Sequence, residues 1–178
     1  MKRFLLKLVY HTSKLPLKFL DGRFPRTYMK LFNSLLKGMG VKMNGTPRYI
    51  STKVRFDDFN KIQLNERTVI SENVILLTHD YSLTTGLISI SKTPSTDLAF
   101  IREITLGKNV FIGMGAIIMP GTVIEDNVVV GAGSVVRGVI PKDSIVIGNP
   151  GVIISTLSEK AKKWEDKMIR MQIKIDRK

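Results

Sequence analysis

From Ile104 onward, aliphatic side chains recur with a strict period: Leu106, Ile112, Ile118, Ile124, Val130 and Val136 fall six residues apart. Two positions ahead in each unit stand small or β-branched residues: Ile104, Val110, Ala116, Thr122, Val128, Ser134 and Ile140. Glycine follows the aliphatic position at Gly107, Gly113 and Gly131. A helix has no six-residue period and an ordinary strand repeats every two residues. The pattern therefore predicts short strands and tight turns wound into a parallel β-helix, whose interior stacks equivalent positions. Asn109, Asp126 and Asn127 join the glycines as residues suited to its corners. The period runs backward more weakly, with Ile50, Phe56, Ile62, Thr68 and Val74 in one set and Thr52, Asp58, Leu64, Ile70 and Leu76 in the other. Coils are expected over residues 62–77 and, interrupted by Asp58 at an apolar position, over 50–61.

Three other segments frame the repeat. Residues 2–10 and 25–39 show helical spacing, with Phe4, Leu5, Leu8 and Val9 on one face and Met29, Phe32, Leu35 and Leu36 on another. Pro25 suits a first helical turn, and Gly38 and Gly40 suit an end. The tail from Leu157 places Leu157, Ala161, Trp164, Met168, Met171 and Ile175 at alternating steps of four and three, an amphipathic helix expected to pack on the body. Between the two repeat tracts lies Thr78 to Arg102, a polar segment with Gly86, Pro94 and His79. A loop of that length is more often functional than idle. After Ile140 the repeat stops at Pro141-Lys142-Asp143, and Gly148-Asn149-Pro150-Gly151 makes a turn. The organisation expected is a basic helical segment over 1–45, a β-helix over 46–155 carrying the loop 78–103, and a helix over 156–178.

Charge sharpens this picture. The chain has 178 residues and a net charge of +13. Residues 1–45 hold 10 Lys and Arg against the single acid Asp21, residues 46–157 hold 10 against 10, and residues 158–178 hold 8 against 4. Nucleic-acid readers concentrate charge on the folded recognition surface. A neutral body with basic ends suits a phosphate-bearing ligand or an anionic membrane surface instead. The helices over 1–45 either cap the core or present their Lys/Arg face to such a surface. The apolar stretch Phe4–Leu20 is broken by Lys7, His11, Lys14, Pro16 and Lys18, so it reads neither as a membrane span nor as a signal peptide, and a cytoplasmic location is expected. There is no cysteine, which excludes disulfides, thiolate metal sites and a cysteine nucleophile. With only His11 and His79, a three-histidine zinc site cannot be built from one chain, and no metal is expected.

The stretch Leu106–Val136, the exit Ile140-Pro141-Lys142 … Gly148-Asn149-Pro150, and Thr78-His79-Asp80-Tyr81-Ser82 together resemble the hexapeptide-repeat acetyltransferases, nearest the exopolysaccharide or colanic-acid type of sugar O-acetyltransferase. The resemblance covers roughly residues 50–155 and implies a mainly β protein whose body is a left-handed parallel β-helix, usually a homotrimer with active sites between subunits. It implies acetyl-CoA as co-substrate and a sugar or glycan as acceptor.

Moving an acetyl group from a thioester to a hydroxyl needs a base for the hydroxyl proton, a donor for the developing oxyanion, and a site that holds both substrates. His79 stands where the coil gives way to the polar loop and is the candidate general base. Asp80 is the first candidate to orient it, with Asp97, Glu103 or a backbone carbonyl as alternatives. The resemblance places pantetheine along Phe111, Gly113, Met114, Ala132 and Gly133, makes the Met114 N–H an oxyanion donor, and brings Arg137 and Lys142 to the coenzyme's phosphates. Relatives often carry Thr-Lys at Arg137-Gly138 and a basic residue at Val152, and this chain departs at both. Asp58, Asn60 and Tyr81 are candidates for acceptor hydroxyls. The expected function is sugar O-acetylation in capsule, O-antigen or exopolysaccharide biosynthesis, by direct transfer without an acyl-enzyme. The alternative is N-acetylation of an amino sugar or other small amine on the same fold.

Overall fold

The computed structural model describes residues 8–168. Three parallel sheets form the faces of a prism. Sheet A contains β1 (Lys42–Asn44), β4 (Ile62–Asn65), β9 (Ile104–Leu106), β12 (Val123–Ile124) and β15 (Val139–Ile140). Sheet B contains β2 (Tyr49–Ile50), β5 (Val69–Ile70), β10 (Phe111–Ile112), β13 (Val129–Val130) and β16 (Ser144–Ile147), closed by the antiparallel β17 (Val152–Thr156). Sheet C contains β3 (Arg55–Phe56), β6 (Ile75–Leu76), β11 (Ile117–Ile118) and β14 (Val135–Val136). The chain visits A, B and C in turn, as a β-helix must.

Register follows from the repeat. Phe111 pairs with Val129 and Ile117 with Val135, a coil of three hexapeptides. Ile70, Ile112, Val130 and Val146 stack on one face, and Leu76, Ile118 and Val136 on another, all essentially fully buried. Each such side chain contributes roughly 1.5–3 kcal/mol through burial. The threonines among the small positions bond back to corners: Thr122 Oγ1 donates to the Met119 carbonyl at 2.7 Å and Thr68 Oγ1 to the Asn65 carbonyl at 2.7 Å. Asn109 and Asn127 turn the A–B edge with φ of 54° and 58°, and the Asn109 amide donates to Asn127 Oδ1 at 2.8 Å.

Two registers differ from the spacing. Ile50 pairs with Ile70 and Phe56 with Leu76, so both belong to the set of Leu64 and not to that of Ile62. The cause is a 3₁₀ turn, Phe59–Lys61, which inserts two residues at the C–A edge. Asp58 is thus a corner residue before that turn and breaks no rule. At the other end Ile140 pairs with Ile124, because the corner Arg137-Gly138 is two residues short. Ile140 therefore occupies the aliphatic position and not the earlier one.

The segment after Leu77 is more ordered than a polar loop. It leaves the C–A edge as an antiparallel ribbon, β7 (His79–Asp80) with β8 (Phe100–Ile101), and carries a helix over Ser82–Ser89 at its far end. Ile88, Ile90 and Ile101 on this arm are exposed.

The N-terminal helices are labelled α1 (Lys14–Arg23) and α2 (Pro25–Met39). The latter matches its predicted bounds, with Pro25 in the first turn and Gly40 closing it at φ 114°. Tyr28, Phe32 and Leu36 are fully buried and join one core with the coils. The Tyr28 hydroxyl donates to the Ile50 carbonyl, and the Tyr10 hydroxyl reaches the Val54 carbonyl at 3.5 Å. Residues 8–10 of the first predicted helix are helical and the rest lie outside the described residues. The final helix, α4 (Leu157–Met168), is held at its start by Asp143, whose carboxylate accepts from the Ser158 N–H and hydroxyl. The ribbon helix Ser82–Ser89 is α3. The apolar edge expected of α4 to pack stays open, with Trp164 and Met168 exposed, and Met171 and Ile175 lie outside the described residues.

The coils approach closely at Gly113, where an added Cβ would come within 2.5 Å of the Ala132 nitrogen. Gly113→Ala is expected to cost about 1–3 kcal/mol of stability in urea unfolding. Gly86→Ala, in a helix with open space around the new methyl, is expected to retain stability or gain about 0.5–1 kcal/mol.

Candidate active site

His79 is placed by the break in the repeat. Leu77 still bonds the Ile118 carbonyl at 2.9 Å, Thr78 is fully buried, and the chain then leaves the prism. Asp57 ends the preceding strand one coil earlier at the same edge, so the stacking of Phe56 on Leu76 brings it under Thr78 and His79. Asp57 Oδ2 accepts from the Thr78 N–H at 3.0 Å, the Thr78 hydroxyl at 3.1 Å and the His79 N–H at 3.1 Å. It also lies 2.8 Å from His79 Nδ1. That contact assigns the proton to Nδ1 and leaves the lone pair on Nε2. Burial pushes the Asp57 carboxyl up. The hydrogen bonds from His79 and Thr78, with the attraction of the His79 ring, outweigh it and hold the carboxyl below its usual range. The ring is 27% exposed at its side chain, so it is anchored yet reachable.

The structure thus corrects the first candidate for orienting His79. Asp80 points elsewhere, since successive side chains of a strand alternate faces. Its Oδ1 accepts from the Ser82 N–H at 2.9 Å. The Ser82 hydrogen bonds hold its carboxyl low, with a smaller pull from Arg137. Of the alternatives, Glu103 pairs with Lys42 at 3.2 Å and Asp97 is exposed on the arm.

Beneath the ribbon lies a cavity of about 360 Å³. Asp80, Phe100 and Arg102 line it from the ribbon, and Met119, Pro120 and Arg137 from the C–A edge. The Arg102 guanidinium sits 5.0 Å from the Phe100 ring centre, a cation–π contact. Its stem crosses Gly121, where a Cβ would come within 2.9 Å of Arg102 Cδ.

The predicted coenzyme residues separate onto three edges. Gly113, Met114, Ala132 and Gly133 form the B–C edge, with Phe111 exposed on sheet B beside it. Gly113 is required by coil packing and Gly133 by its φ of 68°. The Met114 and Ala132 N–H groups have no hydrogen-bond partner among the described residues, so both donors are available. Arg137 lies across sheet C, on the cavity. Lys142 lies on the A–B edge, where its N–H donates to Glu125 Oε2 at 2.9 Å, and it does not join Arg137. Of the acceptor candidates, Asp58 and Asn60 follow Asp57 at the histidine's edge, and Tyr81 is exposed on the ribbon. Sequence reasoning missed Asp57, Phe100 and Arg102. Asp57 was findable as the residue one coil before His79, but only with the two-residue insertion at Phe59–Lys61 allowed for.

Residues 103–138 match the family described as bacterial transferase hexapeptide (six repeats). The Escherichia coli (strain K12) protein WbbJ, assigned as a lipopolysaccharide biosynthesis O-acetyl transferase, is 27% identical over 140 residues, 72% of this chain and 71% of that one. The Escherichia coli (strain K12) galactoside O-acetyltransferase is 29% identical over 121 residues, 67% of this chain; the chain spans 60% of that relative's length. A solved galactoside acetyltransferase in complex with coenzyme A superposes with a TM-score of 0.59 at 23% identity, over 91% of this chain and 86% of that one. The hexapeptide-repeat containing-acetyltransferase VCA0836 from Vibrio cholerae gives 0.56 at 19% identity, over 88% and 93%. The expected fold, a mainly β left-handed β-helix with flanking helices, is borne out.

The Asp57 carboxyl is depressed on folding, so its stabilisation is present above its unfolded value, near 3.8, and is lost as pH falls through the lower folded value. The stability gap between wild type and Asp57→Asn in urea unfolding is expected to be full at neutral pH and to close only in that acidic range.

Proposed function

We propose that the chain, whose residues 103–138 match the bacterial transferase hexapeptide family, is an acetyl-CoA-dependent O-acetyltransferase acting on a sugar hydroxyl. The reading extends to capsule, O-antigen or exopolysaccharide biosynthesis, on the cytoplasmic side. The observation that carries it is the 2.8 Å contact of Asp57 with His79 Nδ1, which leaves Nε2 of a reachable ring able to take a proton at the C–A edge.

The residues fit the co-substrate. Phe111, exposed beside the B–C edge, offers apolar contact to an extended thioester arm, the free Ala132 N–H on that edge suits an amide, and Arg102 and Arg137 suit phosphates. Bound acetyl-CoA supplies the acyl carbon that receives the hydroxyl oxygen, and its thiol is the leaving group. His79 Nε2 takes the hydroxyl proton as the new C–O bond forms, and returns it to the sulfur as the C–S bond breaks. Asp57 holds the ring's orientation and tautomer and stabilises the imidazolium while it carries that proton. Asp58, Asn60 and Tyr81 contact acceptor hydroxyls. The Met114 N–H donates to the developing oxyanion. Met114 lies across sheet C from His79, so that donor comes from the B–C edge of a neighbouring copy, and a homotrimer completes the site.

His79→Ala is expected to lower turnover by about 10²–10⁴-fold in an assay of thiol release from acetyl-CoA with sugar acceptors. Undiminished turnover in a folded variant would remove the assignment. The same assay with amino sugars separates O- from N-transfer: product esters are cleaved by mild hydroxylamine and amides are not. Arg137→Ala is expected to raise the KM for acetyl-CoA with little change in kcat, and a matching loss in kcat alone would argue against a binding role.

A further inference from the structure

We propose that the outward face of the N-terminal helix docks on an anionic phospholipid surface. The helix runs through residues 8–23 with one turn-like residue at Ser13, across which the Ser13 N–H still bonds Val9 and the Leu17 N–H bonds Ser13, both at 2.9 Å. Tyr10 and Leu17 lie on its inner face and are buried. Leu8, Leu15 and Phe19 fall on the opposite face, since residues two apart on a helix point about 200° apart. Leu15 is 81% exposed and Phe19 72%. A stripe of large apolar side chains on the outside of a helix is the anomaly that needs an occupant.

Charge selects the occupant. Lys18 and Arg23 on this helix, and Arg26 and Lys30 on α2, which follows it, are exposed, and none makes an ion pair among the described residues. Asp21, the sole acid of residues 1–45, is turned inward, where it accepts from the Tyr49 hydroxyl at 2.9 Å. The outer face is therefore apolar and cationic, and residues 1–45 turn no acid toward it. That is the chemistry of a helix lying in the headgroup region of an anionic bilayer. Among the described residues no helix is long and apolar enough to cross one. The proposal is independent of acetyl transfer, because it uses no residue of the His79 site.

The test is co-sedimentation of the full chain with vesicles of phosphatidylcholine alone or with 30% phosphatidylglycerol added, at low and high salt. Binding is expected only to the anionic vesicles and to weaken as salt rises. Lys18→Gln/Arg23→Gln/Arg26→Gln is expected to weaken it on the order of a hundredfold. Leu15→Glu/Phe19→Glu is expected to lower it at least tenfold while the folded spectrum and soluble-acceptor turnover persist. No binding at low salt overturns the proposal. So does a Leu15→Glu/Phe19→Glu chain that changes its oligomeric mass by ultracentrifugation but still binds vesicles, which assigns the stripe to a second copy.

Discussion

The backbone ladder between successive coils is the constraint on which the molecule depends. Each short strand bonds the strand one coil before and one coil after it, so the register of Ile70, Ile112 and Val130 fixes the register of everything between. A change of length is tolerated only where the ladder is not running, at the edges. One extra residue between Met43 and Ile50 sits at the A–B edge, and three further irregularities share a single edge. The 3₁₀ turn Phe59–Lys61 and the shortened Arg137-Gly138 corner both lie at the C–A edge, and so does the departure of the ribbon after Leu77. The reactive histidine sits at the one edge where the repeat is interrupted three times.

That location explains the chemistry available to it. A carboxylate on one coil and an imidazole on the next are brought to 2.8 Å by stacking, without either being near the other in sequence. Asp57 receives its other donors from Thr78 and from the His79 backbone, so the same oxygen ends a coil and aims a ring. On the far side of the ribbon, alternation directs Asp80 and Phe100 to the cavity with Arg102 and Arg137. One two-stranded arm thus separates a proton-handling face from a face suited to anions.

The legibility of the sequence follows the same physics. Residues 104–136 could be read because each interior position is stacked on an equivalent one and admits few residue types. Residues 50–58 were misaligned by two because an insertion at a corner leaves no mark on the apolar pattern. The ribbon and α3 were unreadable as structure, since an isolated pair of two-residue strands has no period. The α1 helix escaped notice because Pro16 removes a backbone donor and interrupts the expected pattern. His79 was legible by its residue type and by its place at the break. Its partner was not, because the pairing is set by coil stacking, and Asp80 was favoured only by adjacency.

A wound ladder has two open ends, and each end presents bare carbonyls and amides to any strand that arrives. Here each end is covered at sheet B. The aromatic hydroxyls of Tyr28 and Tyr10 reach carbonyls of the first turn of the prism, and β17 folds back against β16 in the opposite direction at the last. On that face, propagation of the repeat from molecule to molecule into a fibre is opposed by the terminal segments and not by the core.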